Sequence, residues 1–265
     1  MRTQDHSRLS YKIGYARRHP GRILPYGRRW ARDLWLGLRS EDHVNYYRAV
    51  MHSDVARSPE AAVGGSSRES WLRFGQLQFD YLLEHGLAPD MRVLEIGCGN
   101  LRAGRLLVDY LDAGNYYGID ISPDILLAAL DTVTTFGLQP RLPRLTLVQD
   151  LKLDFLPDEA FEVVHAHSVF SHSPIEVVDE CLCHVGRVMT SGGFFDFTFK
   201  PTDGDEHQVL HEDFYYRAPT LIALAARYGL RAQVMDDWRL RQDSQCKLRV
   251  TRSAPSGALR EPGSS

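Results

Sequence analysis

No stretch of this 265-residue chain approaches the roughly 20 consecutive apolar residues of a membrane span, and the opening MRTQDHSRLS lacks the apolar run of a secretory signal. Together the two absences predict an intracellular, cytoplasmic protein. Cysteine is sparse: Cys98, Cys181, Cys183 and Cys246 are too few and too scattered for a disulfide framework, so reduced thiols are expected. Cys181 and Cys183 form a C-x-C pair followed by His184, but no second pair completes a zinc ligand set. An excess of one charge is missing as well. With 31 Lys and Arg against 34 Asp and Glu the formal net charge is -3, which gives no global nucleic-acid signature and makes any basic surface local. No internal repeat is visible, which excludes solenoids and propellers.

What is present is ordinary globular usage, 43% apolar and 25% charged, in a length that suits one α/β domain with additions. Three regions differ in character. Residues 1–69 crowd Arg17, Arg18, Arg22, Arg28, Arg29 and Arg32 around Tyr26, Trp30 and Trp35. Pro20, Gly21, Pro25 and Gly27 break the first half of this extension, and Arg29 to Leu38 is expected as a short amphipathic helix before a Gly64-Gly65-Ser66-Ser67 linker. Residues 70–252 alternate strand and helix patterns, and residues 253–265, rich in Pro and Gly, read as a disordered tail.

Within the central region Arg92–Ile96, Tyr116–Ile119, Leu145–Val148, Phe161–Ala166 and Phe194–Phe199 are short apolar or β-branched runs suited to buried strands. Helical spacing separates them, in Ala103, Leu106, Leu107, Tyr110 and Leu111, and again in Val178, Cys181, Leu182, Val185, Val188 and Met189. A later helix starts near Pro219 and stops at Gly229, and Leu230–Met235 and Gln245–Thr251 then read as two closing antiparallel strands. The alternation predicts a mainly parallel sheet covered on both faces.

The most informative segment runs Val93-Leu94-Glu95-Ile96-Gly97-Cys98-Gly99-Asn100-Leu101-Arg102-Ala103-Gly104. It sets a glycine-rich turn between a buried strand and a helix, where a ligand can approach backbone N–H groups at the carboxyl end of a sheet. The next strand ends in Asp120, about 20 residues on, where a carboxylate can hold both hydroxyls of a ribose. A dinucleotide fingerprint would need a small residue where Arg102 stands, and Glu95 would repel a pyrophosphate while suiting an ammonium group.

These residues resemble motif I of the class I S-adenosylmethionine-dependent methyltransferases, with Asp120 at the acidic end of the second strand. The resemblance covers about Ser70 to Arg252 and implies a Rossmann-like α/β three-layer sandwich, a seven-stranded, mostly parallel sheet with an antiparallel last strand. It implies S-adenosylmethionine as cofactor, with Glu95, Gly97, Cys98 and Gly99 around the methionine portion, Asp120 on the ribose and Ile121 against the adenine. Asp150 and Leu151 would meet the adenine edge, with Asp154 and Asp158 as nearby alternatives to Asp150. The commonest family form has a glycine two positions after Gly99, where this chain has Leu101.

Beyond the fourth strand, His165 and His167 alternate onto one side, and His167 and Ser168 are candidates for the cofactor and acceptor pocket. His172 is the candidate general base for a hydroxyl acceptor, or else a residue that supports the turn before Pro174. The polar stretch Lys200–His207 suggests a lid or acceptor loop. His207 and His211 would share a face if helical, but the H-E-x-x-H form is absent and no metal is expected. The expected acceptor is a small molecule: a glycan, a lipid headgroup or a specialised metabolite. Nucleic acid is disfavoured, since no Asn-Pro-Pro-Tyr-type signature is present. The arginine-aromatic extension could cover the pocket, bind an anionic acceptor, or bring residues 1–40 against an anionic membrane surface, and a packed helical extension with a solvated basic face is favoured over all three. Two other function classes stay open: a nicotinamide-dependent oxidoreductase and a cofactor-binding module without turnover.

Overall fold

A computed structural model describes residues 23–238 and 245–253, so the first 22 residues of the extension and all but the first residue of the expected tail lie outside the described residues. The strand runs read from sequence recur as β1 (Val93–Ile96), β2 (Tyr116–Asp120), β3 (Arg144–Leu147), β4 (Phe161–Ala166) and β5 (Met189–Pro201). The two closing runs are β8 (Leu230–Val234) and β9 (Cys246–Arg252). These seven lie in the order β3-β2-β1-β4-β5-β9-β8, with β9 antiparallel to both its neighbours and the other pairings parallel. This is the expected Rossmann-like sheet.

Alternation along each strand divides the core in two. Val93 and Val163, in register on β1 and β4, join Tyr81, Leu82, Leu107 and Val133 on one face, while Leu94 and Val164 join Val178, Leu182, Val185 and Leu221 on the other. The first face is covered by α4 (Arg68–Glu84), α5 (Gly104–Tyr110) and α6 (Pro123–Thr135), the second by α7 (Ile175–Val188) and α8 (Ala218–Ala226). Chain order runs outward from β1 one way and from β4 the other, so the loops after these two strands face each other across the switch point of the sheet.

Two regions differ from the sequence-based expectation. Helix α1 (Ile23–Gly37) begins six residues before Arg29, because Pro25 falls in its first turn, where the missing N–H has no intrahelical partner to lose. It is followed by α2 (His43–Val55), capped by the Asp42 carboxylate on the Asn45 amide, and by the single turn α3 (Pro59–Ala62). These helices pack on the rim of the sheet: Met51 meets Ile125 and Ala128 of α6, and Arg48 donates to the carbonyls of Ile121 at 2.6 Å and Val148 at 3.0 Å.

The second difference follows β5. His207–Val209 (β6) and Asp213–Tyr216 (β7) form an antiparallel hairpin, and β7 runs parallel to the end of β5 at Lys200 and Pro201. His207 and His211 therefore share no helix face. The His207 ring stacks on Tyr215, and His211 in the turn bonds Asp33 of α1. Phe214 and Tyr216 are buried, the Phe214 amide donates to the Ser171 carbonyl, and the Tyr216 hydroxyl donates to that of Ser173, which fixes the hairpin beneath the loop after β4.

Candidate functional site at the switch point

The glycine turn enters the crevice in the way its residue types demand. Gly97 has φ of +67° and an added Cβ would stand 2.4 Å from Val169 Cγ2, so the loops after β1 and β4 touch at a point where no side chain fits. Leu101 adopts φ of +62° and is fully buried, so the place where the related pattern has a glycine keeps the left-handed backbone with a leucine in it. Packing of the Leu101 side chain beside Leu107 and Val133 offsets the steric cost. Gly104 opens the next turn because a Cβ there would strike the Tyr116 hydroxyl and the Glu95 carboxylate.

The amides of this turn are already used. Those of Gly97 and Cys98 donate to the Ile119 carbonyl, and that of Gly99 donates to Asp120 Oδ2 at 3.0 Å. The turn thus offers close approach and a fixed carboxylate, where the sequence suggested backbone N–H groups open to a ligand. Asp120 Oδ1 accepts from the Ser122 amide at 2.9 Å, so both oxygens are held while each keeps a second lone pair. Burial raises the Asp120 carboxyl above the usual carboxylate range, and the Ser122, Gly99 and Ile121 amides pull it back. Glu95 is buried, accepts from the Tyr116 hydroxyl, and is pushed up to about 7 by burial against the opposing influence of Tyr116 and Arg102. Arg102 itself donates to the Val63 carbonyl.

One cavity contains every sequence-predicted site residue: Glu95, Gly97, Cys98, Gly99, Asp120, Ile121, Asp150, Leu151, His167, Ser168 and His172. Their situations differ. Cys98 turns its thiol toward Gly118, and burial raises the thiol well above its ordinary range. Asp150 sits exposed at the rim beside the Lys152 ammonium, 3.3 Å away, while the Leu151 amide donates to Glu180 Oε2 at 2.8 Å. Ser168 has φ of +59°, donates its amide to Thr198 Oγ1, and accepts from Gln245 Nε2 at 2.7 Å. The His165 and His167 rings lie on the same side, nearly parallel and 6.5 Å apart, with His167 in the cavity and His165 buried near Gln78.

The far end of the cavity comes from residues that the sequence reading did not select. His43, Val44, Tyr47 and Met51 project from α2, and Ala62 and Val63 follow from α3. The spacing of His43, Tyr47 and Met51, four residues each, was the available signal: it places all three on one helical face. The Tyr47 and His172 ring centroids are 6.2 Å apart, and His43 Nε2 donates to the His172 carbonyl at 2.8 Å. Burial lowers the pKa of His172, with the nearby Lys200 ammonium acting in the same direction. Among the described residues no cluster of His, Cys, Asp and Glu has the arrangement of a metal site.

Residues 94–195 match the model of a family described as a methyltransferase domain. Three of the solved structures that share the fold illustrate the likeness. The magnesium protoporphyrin IX methyltransferase of Synechocystis PCC 6803, solved with bound S-adenosylmethionine, has 17% identity over 81% of this chain and 99% of its own, with a TM-score of 0.60. A methyltransferase dependent on the same compound, from Clostridium acetobutylicum, has 14% identity over 77% of this chain and 99% of its own, at 0.57. The cyclase SpnF has 17% identity over 67% of this chain and 81% of its own, at 0.52. At these identities the likeness to the solved structures is one of fold.

Proposed function

We propose, from the premise that the chain carries a methyltransferase domain of the class I S-adenosylmethionine-dependent family, that it moves a methyl group onto a nucleophile of a small-molecule acceptor, with Asp120 holding the cofactor and His172 serving as base. S-adenosylmethionine is the cofactor of that family, and bound in this cavity it supplies a sulfonium methyl group with a good leaving group already attached. Catalysis then rests mainly on alignment.

The observation that carries the reading is Asp120. Its oxygens are fixed by the Gly99 and Ser122 amides at the end of β2, and a pair of vicinal hydroxyls can donate to the lone pairs that remain. Ile121, Val148 and Val177 give apolar cover for an adenine, and Glu95 beside the turn suits the ammonium of an aminocarboxylate. The internally bonded amides of Gly97, Cys98 and Gly99 leave no anion nest for a pyrophosphate, which supports this cofactor over a dinucleotide. Asp150, at the mouth of the slot, is assigned to the adenine edge.

The acceptor belongs at the end framed by His43, Tyr47 and His172. A hydroxyl nucleophile must lose its proton as the bond to carbon forms, and a histidine kept neutral by burial can take it. A glycan, a lipid headgroup or a specialised metabolite fits this requirement. The test has two parts. Calorimetry with S-adenosylmethionine and S-adenosylhomocysteine should give saturable binding, and a labelled-methyl screen against cell extract, with mass identification of the product, should give a labelled small molecule. Absence of binding to either compound would refute the cofactor assignment. Binding without label transfer to any acceptor would refute the transferase reading in favour of a binding module.

A further inference from the structure

We infer that the outer face of α1 docks this protein on an anionic lipid bilayer. Trp30, Leu34 and Leu38 follow one another at four-residue spacing with Trp35 beside them, and they are 52%, 45%, 79% and 54% exposed. Large apolar side chains clustered in this way on a water-facing surface mark a contact region. The opposite face of the helix is fixed. Arg29 donates to Glu212 at 2.6 Å and Asp213 at 2.9 Å, Arg32 bridges Asp54 and Glu212, and Asp33 accepts from Tyr46. The apolar face is therefore held outward on a packed helix, so little conformational entropy remains to be lost when it meets a surface.

Charge selects the partner. Residues 1–40 contain ten Lys and Arg against two Asp, whereas the other 225 residues contain 21 basic and 32 acidic side chains. In the structure Arg29 and Arg32 are taken up by Glu212, Asp213 and Asp54 on the inner face, while Arg28 and Arg39 are exposed near the tryptophans, Arg39 over the Trp35 ring at 4.3 Å. An apolar stripe with interfacial tryptophans and flanking arginines is the pattern of a helix lying in a headgroup layer, its apolar side in the acyl boundary and its arginines on lipid phosphates. No described helix is long and apolar enough to cross the bilayer, which is consistent with contact from one side. Glu212 ties this surface to the cavity, since its carboxylate holds Arg29 and Arg32 and its carbonyl holds His172.

The experiment is co-flotation of the full chain with phosphatidylcholine vesicles, with and without phosphatidylglycerol, together with tryptophan emission. Wild type is expected to float with the anionic vesicles, with a blue-shifted emission, and to stay behind with the neutral ones. The Trp30→Ser/Trp35→Ser variant should partition at least about tenfold less while keeping its melting temperature in lipid-free buffer. Raised salt should weaken the wild-type partition. Failure of wild type to float, or equal flotation of the variant, would overturn the inference. A lower melting temperature of the variant would do the same, by showing that the tryptophans are packed within the protein. A single-stranded RNA that binds the same face when vesicles do not would assign it to nucleic acid instead. None of these outcomes depends on methyl transfer.

Discussion

The Nδ1 atom of His172 lies 2.6 Å from the carbonyl oxygen of Glu212, and because a carbonyl only accepts, that nitrogen carries the proton. The neutral ring therefore keeps its lone pair on Nε2. Asp213 Oδ1 is 3.4 Å from the same Nδ1, so a carboxylate stands behind the ring if it takes up a second proton. A base oriented by a group on its far side is the arrangement that proton removal from a hydroxyl asks for.

Replacing His172 by Ala is expected to lower turnover on a hydroxyl acceptor by about 100-fold to 10,000-fold and to leave cofactor affinity within a few-fold of wild type. Labelled-methyl transfer and calorimetry read the two quantities. Burial and Lys200 depress the histidine, so the neutral form dominates at pH 7 and wild-type activity should fall only on the acid side of the usual histidine range, a limb absent from any residual activity of the variant. Turnover at the wild-type level would leave His172 a structural role.

Asp120→Ala removes the acceptor of the Gly99 and Ser122 amides and, on the proposed assignment, that of the ribose. Charged hydrogen bonds of this kind contribute roughly 1.5–3 kcal/mol, so S-adenosylhomocysteine should bind roughly 10-fold to 150-fold more weakly. Unchanged calorimetric affinity would contradict the assignment.

Gly97→Ala combines a left-handed backbone with a clash at Val169 Cγ2, and should cost on the order of 1–3 kcal/mol of stability along with most cofactor affinity. Adding Val169→Ala removes the clash and leaves the backbone cost. The double variant should regain part of the lost melting temperature, and a single variant that melts like wild type would show that the two loops do not meet so closely.

Lys247 offers a test of stability against pH. Its ammonium is fully buried, 3.8 Å above the Tyr81 ring and 3.9 Å above that of Trp238, and has no hydrogen-bond partner among the described residues. Burial pushes it down to about 7, with the Arg249 guanidinium acting the same way and the Asp196 and Asp237 carboxylates offsetting only part of the desolvation. Below pH 7 the folded state bears the full cost of the buried charge. As pH rises from about 7 toward 10.5 the unfolded chain holds more protons than the folded one, so wild-type stability gains over this window. Lys247→Met should melt higher than wild type at pH 6.5, with the difference shrinking by pH 9.5. A difference independent of pH would place the charged form in both states.

The sheet was legible because its central strands β1 and β4 are buried on both faces and read as apolar runs bounded by turns, and the site was legible where chemistry and backbone coincide, at Gly97, Gly99 and Asp120. The β6–β7 hairpin was hidden: only Phe214 and Tyr216 carry its period-two signal, in strands of three and four residues whose stability comes from the distant Ser171 and Ser173 carbonyls. The cover of the cavity was hidden for a related reason. His43 and Tyr47 contact residues more than a hundred positions away, and composition set their segment apart from the domain on which it packs. Leu101 shows a different limit, since a residue poorly suited to a left-handed turn adopts one where tertiary packing requires it.

Because β9 runs against its neighbours, its first residues arrive at the rim where the parallel strands end, and Gln245 reaches Ser168 there. A chain leaving the ribosome will have produced the glycine turn and the aspartate more than a hundred residues before that support exists. The rim is completed only when β9 slots between β5 and β8, both made before it, so competence for chemistry waits for that strand, however early β1 and β2 take shape.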